Sequence, residues 1–212
     1  MTTTLRIVPA NEASWDDLQE IFGSRGAAAR CWCQRFKLSP GESFGAVPAE
    51  DRALRLRQQT GCGDPDSPTT SGLVAYVDDV PAGWCAVETR PSYEGLVRVF
   101  RVPWEGRDED RSDPSVWAVT CVFVRAGHRR EGLSHELIAA AVPFARDRGA
   151  GALEGYPITT TGAIAEELHV GTVAGFEAAG FSVVSRPTPR RVVMRIELGR
   201  VGARDGTHTP FC

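Results

Sequence analysis

One stretch of the chain, residues 117–148, constrains the fold more than any other because it combines a buried strand, a charged turn and a helix. Residues 117–124 contain two aromatic residues and three valines, interrupted only by Thr120, a composition typical of a strand covered on both faces. The turn at 125–131 then carries three arginines, one histidine and one glycine. Beyond it, apolar residues return at the spacing of one helix face: Leu133, Leu137, Ile138, Ala141, Val142 and Ala145. This order predicts a helix that starts at the end of a buried strand.

The turn before this helix has the chemistry of an anion-binding site. The first backbone N–H groups of a helix have no partner inside it, and the helix dipole places partial positive charge there. Gly132 has no Cβ, which lets an anion approach the backbone, while Arg129 and Arg130 add charged donors. Two arginines beside a glycine also suit a solvated turn, so these residues alone are compatible with a phosphate site or with an ordinary surface turn.

The motif Arg129-x-x-Gly132-x-Ser134, five residues after a strand that ends at Val124, resembles the acyl-CoA signature of the GNAT superfamily of N-acetyltransferases. That signature is Arg/Gln-x-x-Gly-x-Gly/Ala, and Ser134 is a mild departure from it because serine is small and keeps its N–H. Two further segments resemble the family. Residues 73–89 suggest a strand, a polar turn and a second strand, and residues 176–181 place an aromatic residue four positions before Gly-Phe.

The resemblance implies an α/β (α+β) fold, with a central mixed and twisted sheet of about six to seven strands and helices on both faces. The strands near 117–124 and 152–157 would be parallel, since strand–helix–strand units cross over in one hand, and would diverge at the acyl-CoA site. We expect a single domain over 1–198. Residues 199–212 lack hydrophobic periodicity and are expected to form a flexible tail.

Acetyl-CoA is the co-substrate that the resemblance implies, with no metal. The diphosphate would lie over residues 129–134, the pantetheine arm would follow the end of the central strand, and a backbone N–H near Val122 would stabilise the oxyanion. Residues near the closing helix would complete the site. The predicted acyl-CoA-binding residues are Val122, Phe123, Val124, Arg129, Arg130, Glu131, Gly132, Leu133, Ser134, Thr172 and Phe176.

The catalytic acid and base are less conventional. Members of the family often carry a glutamate in or near the central strand, but residues 117–124 contain no acid. We predict Glu154, on the neighbouring strand, as the general base, with Glu88 and His169 as second choices; Glu154 would equally suit a hydrogen-bonded structural position. The family's usual acid is a tyrosine where this chain has Phe176, so Tyr156 is predicted to supply the proton.

The segment Cys31-Trp32-Cys33 is the least ordinary local sequence. Two thiols one residue apart suit zinc, but no second ligand pair lies nearby, so a buried loop packed on the core is the stronger alternative. Because the region after the first strand usually contributes to the acceptor site in proteins that this chain resembles, we predict that Trp32 and Cys33, with Glu88, bind the substrate. The six cysteines are expected to be reduced thiols.

Composition bears on partners and location. The net charge of −3 lacks the basic footprint that nucleic-acid binding requires, and no apolar stretch approaches the ~20 residues of a membrane span. We expect a cytoplasmic enzyme that acetylates a primary amine of a small molecule by direct attack. Two alternatives stay open: a protein lysine or N-terminus as acceptor, and a non-catalytic acyl-CoA-binding sensor or interaction module. Oligomeric state is not determined, and a homodimer is compatible with the sequence.

Three local features carry further expectations. Pro143, about eleven residues into the predicted helix, predicts a kink or break near residues 139–142. Valines at 97, 99 and 102 suggest an edge strand. The polar segment 104–114 is expected to be a solvated surface loop, or alternatively to attract a cationic amine by long-range electrostatics.

Overall fold

Seven strands form one mixed sheet in the computed structural model of the chain, which describes residues 3–159, 162 and 167–199. The order across the sheet is β1-β2-β3-β4-β5-β7-β6. Strands β4 and β5 run parallel, and the other neighbours run antiparallel. The strands are β1 Leu5–Pro9, β2 Leu73–Val77, β3 Val80–Thr89, β4 Val116–Val124, β5 Ala152–Gly155, β6 Ser182–Thr188 and β7 Arg191–Glu197. The predicted fold class is confirmed.

Helices cover both faces of this sheet because neighbouring residues of its strands point to opposite sides. On β3, Cys85 belongs to the apolar cluster that contains Leu137 of α5, whereas Trp84 belongs to the cluster that contains Leu18 of α1 and Leu56 of α3. The α-helices are α1 Trp15–Phe22, α2 Gly26–Cys31, α3 Ala49–Thr60, α4 Glu94–Arg98, α5 Leu133–Asp147 and α6 Val173–Ala178. Helices α1, α2 and α3, which lie between β1 and β2 in the sequence, therefore form the layer on one face of the sheet. Helices α5 and α6 form the layer on the other face.

Strand β4 carries a bulge that changes how it meets its neighbours. Ala86 of β3 pairs with Cys121 and Val87 pairs with Val119, so Thr120 is the extra residue. The parallel pairing with β5 covers Val116 to Val119 and ends there. Beyond the bulge β4 no longer pairs with β5, so the two parallel strands separate from Thr120 onward.

Helix α5 is continuous from Leu133 to Asp147, so the predicted break does not occur. Pro143 is exposed on the solvent side of the helix. The carbonyl that loses its hydrogen-bond donor there belongs to Ala139, which is also exposed, so water can replace the missing N–H. The packed face of α5 keeps its contacts with the sheet.

The predicted edge strand was wrong. The valines at 97, 99 and 102 do not form a strand, because residues 94–98 form α4, with Leu96 fully buried and its N–H donated to the carbonyl of Phe36 at 3.1 Å. Tertiary contacts, which the local pattern does not encode, determine the conformation of this segment.

Candidate functional site

The turn before α5 leaves backbone donors available at the surface. Gly132 is the residue that caps the helix, with φ +82°, and the space where its Cβ would stand is open. Within the described part of the chain, no acceptor receives the N–H groups of Gly132, Leu133 or Ser134. Arg130 also has a left-handed backbone, and Arg130 and Glu131 are exposed. This geometry suits an anion held by the start of a helix.

Arg129 folds back from this turn onto the end of β4. Its Nε donates to the carbonyl of Val124 at 3.0 Å, and its guanidinium lies 5.9 Å from the centre of the Phe123 ring. These contacts hold the charged group beside the part of β4 that has separated from β5. Arg129 therefore connects the end of β4 with the turn that precedes α5, while Val122 and Leu133 are buried in the core.

A cleft of about 440 Å³ opens on the face of the sheet that α1 and α2 cover, and we call it the central cleft. Cys121 and Phe123 of β4 form part of its floor, and Arg129 lies at its edge. Three further arginines line it, which the sequence did not single out: Arg25, Arg30 and Arg35. Among the described lining residues none is acidic, so the cleft has a positive character.

A second cavity of about 220 Å³ adjoins the central cleft, and we call it the side pocket. Its walls are mainly apolar and include Phe36, Phe100 and Val192, with Tyr156 and Arg191 also in its lining. Arg35 and His169 line both cavities, which places the two spaces next to each other. His169, a second choice for the base, is therefore at the junction.

Glu154 lies in a buried ion network that the sequence did not predict. Its side chain has 0% exposed surface and pairs with Arg90 at 3.4 Å, with Arg195 at 3.2 Å, and with Arg107. Tyr156 donates its hydroxyl to the same carboxylate at 2.9 Å. The segment expected to be a solvated loop supplies Arg107 and folds over this network.

The charges in this network set the ionisation of both predicted catalytic residues. Burial by itself would raise the pKa of Glu154, but the hydrogen bond and charge of Arg107, together with Arg90, outweigh it and hold that pKa below its ordinary value. Burial, and then the negative charge of Glu154, raise the pKa of Tyr156 well above its ordinary value. The role of Glu154 as base stays a prediction, but its surroundings favour a structural role.

Glu88 lies on β3 and pairs with Lys37 from the segment after α2. Their side chains are only 18% and 7% exposed. Burial raises the pKa of Glu88, although the charge of Lys37 opposes that shift. The Lys37 ammonium also lies 5.1 Å from the centre of the Tyr93 ring. Glu88 does not line either cavity, so its role in substrate binding stays a prediction.

Trp32 and Cys33, which were predicted to bind the substrate, lie in different places: Trp32 in the core and Cys33 in the wall of the central cleft. Trp32 packs between Trp15 and Phe22, with ring centres 5.5 Å and 4.9 Å away, and is buried. Cys33 lines the central cleft, and its thiol accepts a hydrogen bond from the Trp84 indole at 3.1 Å. Burial raises the pKa of Cys31 to about 11 and raises the pKa of Cys33 well above its ordinary value, so both stay thiols near neutral pH. Across the described residues, no group of three His, Cys, Asp or Glu could hold a metal ion.

Thr172 and Phe176, which were predicted to bind acyl-CoA, lie in different surroundings. Thr172 caps α6 by accepting the N–H of Gly175 at 3.2 Å and is partly exposed. Phe176 is fully buried, with its ring 5.0 Å from that of Phe181 and against Gly155, where a Cβ would lie 2.2 Å from the ring. In this structure Phe176 is a core residue between β5 and α6.

The fold and the candidate site are consistent with one family of proteins. A mixed sheet whose parallel strands separate beside an open helix start agrees with the architecture that the resemblance implies. The sequence profile of the family described as "Acetyltransferase (GNAT) family" matches residues 28–169, about two thirds of the chain. The chain belongs to the GNAT acetyltransferase family, whose members transfer an acetyl group from acetyl-CoA. No curated protein sequence matches the chain.

Solved structures share the fold at low sequence identity. The N-acetyltransferase from Staphylococcus aureus Mu50 superimposes with a TM-score of 0.51 at 11% identity, covering 94% of this chain and 100% of that one. The yncA acetyltransferase from Salmonella typhimurium, solved with its cofactor acetyl-CoA, gives a TM-score of 0.50 at 15% identity over 97% of this chain and 99% of that one. Within the described residues, no helix is both long and apolar enough to cross a membrane.

Proposed function

We propose that this protein is an N-acetyltransferase that moves an acetyl group from acetyl-CoA to a primary amine of a small molecule. The observation that carries the proposal is the continuity of the site. The central cleft extends from Arg129, beside the open start of α5, across Cys121 and Phe123, to His169 and the side pocket. Donor and acceptor would meet where β4 has separated from β5.

The residues available for the donor fit its chemistry. The N–H groups of Gly132, Leu133 and Ser134 and the Arg129 guanidinium would hold the diphosphate. The edge of β4 beyond Val119 is not paired with β5 and would run beside the pantetheine arm. A backbone N–H near Val122 would stabilise the oxyanion, an effect worth about 3 kcal/mol for one donor.

The acceptor nitrogen would attack the thioester carbonyl, the carbon–sulfur bond would break, and the CoA thiolate would leave as the amine loses a proton. We propose His169 as the group that takes this proton because it lines both cavities and is a side chain of suitable chemistry at their junction. Glu154 and Tyr156 would maintain the wall behind the side pocket. Holding the two reactants together accounts for much of the rate.

Two features support direct transfer to a small molecule. Cys121, the thiol in β4, is 8% exposed and packs in an apolar cluster, which favours direct attack over a covalent acyl-enzyme. The side pocket is smaller than the roughly 300–1,000 Å³ of drug-sized binding sites, so it suits a compact acceptor better than a protein segment. A non-catalytic acyl-CoA sensor is the competing function.

Replacement of Gly132 by leucine tests the donor site. The added side chain would project into the space over the free N–H groups, so we expect binding of acetyl-CoA, measured by calorimetry, to weaken by at least about 100-fold. Gly149→Leu is the matched control, because Gly149 follows the other end of α5 with φ +85° and equally open space. If both variants bind acetyl-CoA alike, the donor site is misplaced.

Catalysis is tested separately by release of the CoA thiol in the presence of primary amines. An N-acetyltransferase gives amine-dependent release and an N-acetyl product by mass spectrometry. A sensor binds acetyl-CoA, but no amine raises release above hydrolysis.

A further inference from the structure

Two guanidinium groups border the side pocket, and neither pairs with a carboxylate of the described residues. Arg35 follows α2 and lines both cavities, and Arg191 is the first residue of β7. Within the described residues neither forms an ion pair, whereas the neighbouring Arg190 pairs with Glu167 at 3.0 Å. Arginines of this kind at the mouth of a small cavity provide donors in a fork geometry that matches carboxylates and other planar or tetrahedral anions.

The position of Arg191 makes a bound anion favourable. Burial lowers the pKa of Arg191; Glu167 opposes that shift, while the positive charges of Arg190 and Arg35 add to it. The charged form of Arg191 is thus disfavoured by its surroundings in the protein alone. An anion placed between Arg35 and Arg191 would remove their mutual repulsion and provide the missing partner.

The rest of the side pocket suits an apolar group. The rings of Phe36 and Phe100 lie 4.7 Å apart in a tilted arrangement, and Val170 and Val192 complete the apolar wall. A volume of about 220 Å³ accommodates a side chain of moderate size. No acidic residue occurs among the described residues of either lining, so an acceptor with several positive charges would meet only like charge.

On the basis of the proposed N-acetyltransferase activity, we propose that the acceptor is an amino acid with an apolar side chain. Its carboxylate would lie between Arg35 and Arg191, its side chain would occupy the apolar wall of the side pocket, and its amine would face His169 and the central cleft. Polyamines and other polycationic amines would be poor acceptors. Specificity would come from an anion on the acceptor instead of from recognition of the amine.

The experiment compares acceptors that differ only in the carboxylate. The full chain is assayed with acetyl-CoA and two matched pairs, phenylalanine with phenethylamine and leucine with isopentylamine. Two charge-assisted hydrogen bonds predict that the amino acid of at least one pair has a kcat/KM higher by at least about tenfold than its decarboxylated partner. Spermidine serves as the polycationic acceptor and is expected to be the weakest.

Substitution of the arginines shows whether the preference arises in this pocket. Arg35→Gln and Arg191→Gln should each lower kcat/KM for the preferred amino acid by about tenfold, mainly through KM, and leave the decarboxylated amine within about twofold. Arg146→Gln, which removes the same charge from the exposed end of α5, should change neither. Should Arg191→Gln fail to fold by circular dichroism, Arg191→Lys replaces it, with the same expected direction because lysine lacks the fork.

The outcomes separate the two proposals. Equal rates for both members of each pair, or equal losses for both in the arginine variants, would overturn the anionic acceptor and leave the N-acetyltransferase function intact. Binding of acetyl-CoA with no amine-dependent release for any acceptor would overturn the function and this inference together.

Discussion

The carboxylate of Glu154 has no exposed surface and lies among the guanidinium groups of Arg90, Arg107 and Arg195. The Arg90 side chain is equally inaccessible, at 0% exposed. Arg90, Arg107 and Arg111 also lie over the Trp104 ring, with guanidinium carbons 5.1–5.4 Å from its centre. A network of this kind holds the segment after β3 against β5 and β7, provided that each charge keeps its partner.

Replacement of Glu154 by glutamine should destabilise the protein strongly. The substitution keeps the shape of the side chain but removes the buried charge that pairs with three arginines, which then share only the partly exposed Glu109. We therefore expect the free energy of unfolding in urea to fall by about 3–5 kcal/mol. Glu42→Gln is the control, because Glu42 pairs with Arg55 near the surface, and its loss should cost less than about 1 kcal/mol. If Glu154→Gln changes the free energy of unfolding only slightly but lowers kcat strongly, the result would instead support Glu154 as the general base predicted from the sequence.

The same carboxylate predicts a pH dependence of stability. The folded-state pKa of Glu154 lies below its ordinary value of 4.5, so the unfolded chain binds the proton more readily. The stabilisation is fully present above the ordinary value and is lost as the pH falls through the lower, folded value. Urea unfolding of the wild type should therefore show a steeper loss of stability below pH 4.5 than that of Glu154→Gln; parallel curves would contradict this assignment.

His169 provides the corresponding test of chemistry. If it takes the proton, His169→Gln should lower kcat by about 10²–10⁴-fold while the affinity for acetyl-CoA is retained. Added imidazole should restore part of the rate, which a merely structural defect would not allow. A kcat within about threefold of the wild type would exclude His169 as the base.

Strand β4 and helix α5 together position the candidate site. The bulge at Thr120 ends the parallel pairing at Val119, which leaves one edge of β4 without a β5 partner beside the helix start. Gly132, with φ +82°, allows the chain to turn from that strand into α5. The helix then runs through Pro143 without a break, since the proline and the carbonyl it leaves unpaired both face solvent.

Replacement of Pro143 by alanine should stabilise the protein. The change restores the N–H that can bond the Ala139 carbonyl, and this gain exceeds the added conformational entropy of the unfolded chain, so we expect about 1–2 kcal/mol in urea unfolding. Ala139→Gly on the same exposed face should cost about 1 kcal/mol, which checks that helix propensity matters there. No gain for Pro143→Ala would mean that the proline fits α5 without cost.

At the scale of the whole molecule, the last strand of the chain, β7, is inserted in the sheet between β5 and β6. Leu198, just after it, packs against the core and donates its N–H to the carbonyl of Gly151 at 2.9 Å. Leu198 therefore belongs to the packed domain, and the expected end of the domain at residue 198 stays a prediction.

Removal of residues 200–212 should leave the domain stable. Because the sequence there lacks hydrophobic periodicity, we expect the free energy of unfolding to change by less than about 0.5 kcal/mol and acetyl-CoA binding to be unaffected. A chain that ends at residue 195 is the contrast, since it loses the final pairs of β7 with β5 and should unfold readily. A large loss on removal of 200–212 would show that the domain extends further.

The sequence by itself determined the elements whose signals are local. Periodicity and turn residues predicted β4, α5 and the hairpin of β2 and β3, and the motif at 129–134 predicted the family to which the chain belongs. Backbone N–H groups at a helix start depend little on side chains far away in the sequence, so this part of the site could be predicted from sequence.

Tertiary structure decided the parts that depend on distant contacts. The burial of Glu154 by Arg90 and Arg107, and the meeting of Arg35 with Arg191 at the side pocket, join residues more than 45 positions apart. The sequence on either side of an acidic or basic residue does not reveal whether its side chain contacts water, a substrate or an opposite charge. Its environment fixes its desolvation and its partner, and these determine whether it stabilises the fold or serves the reaction.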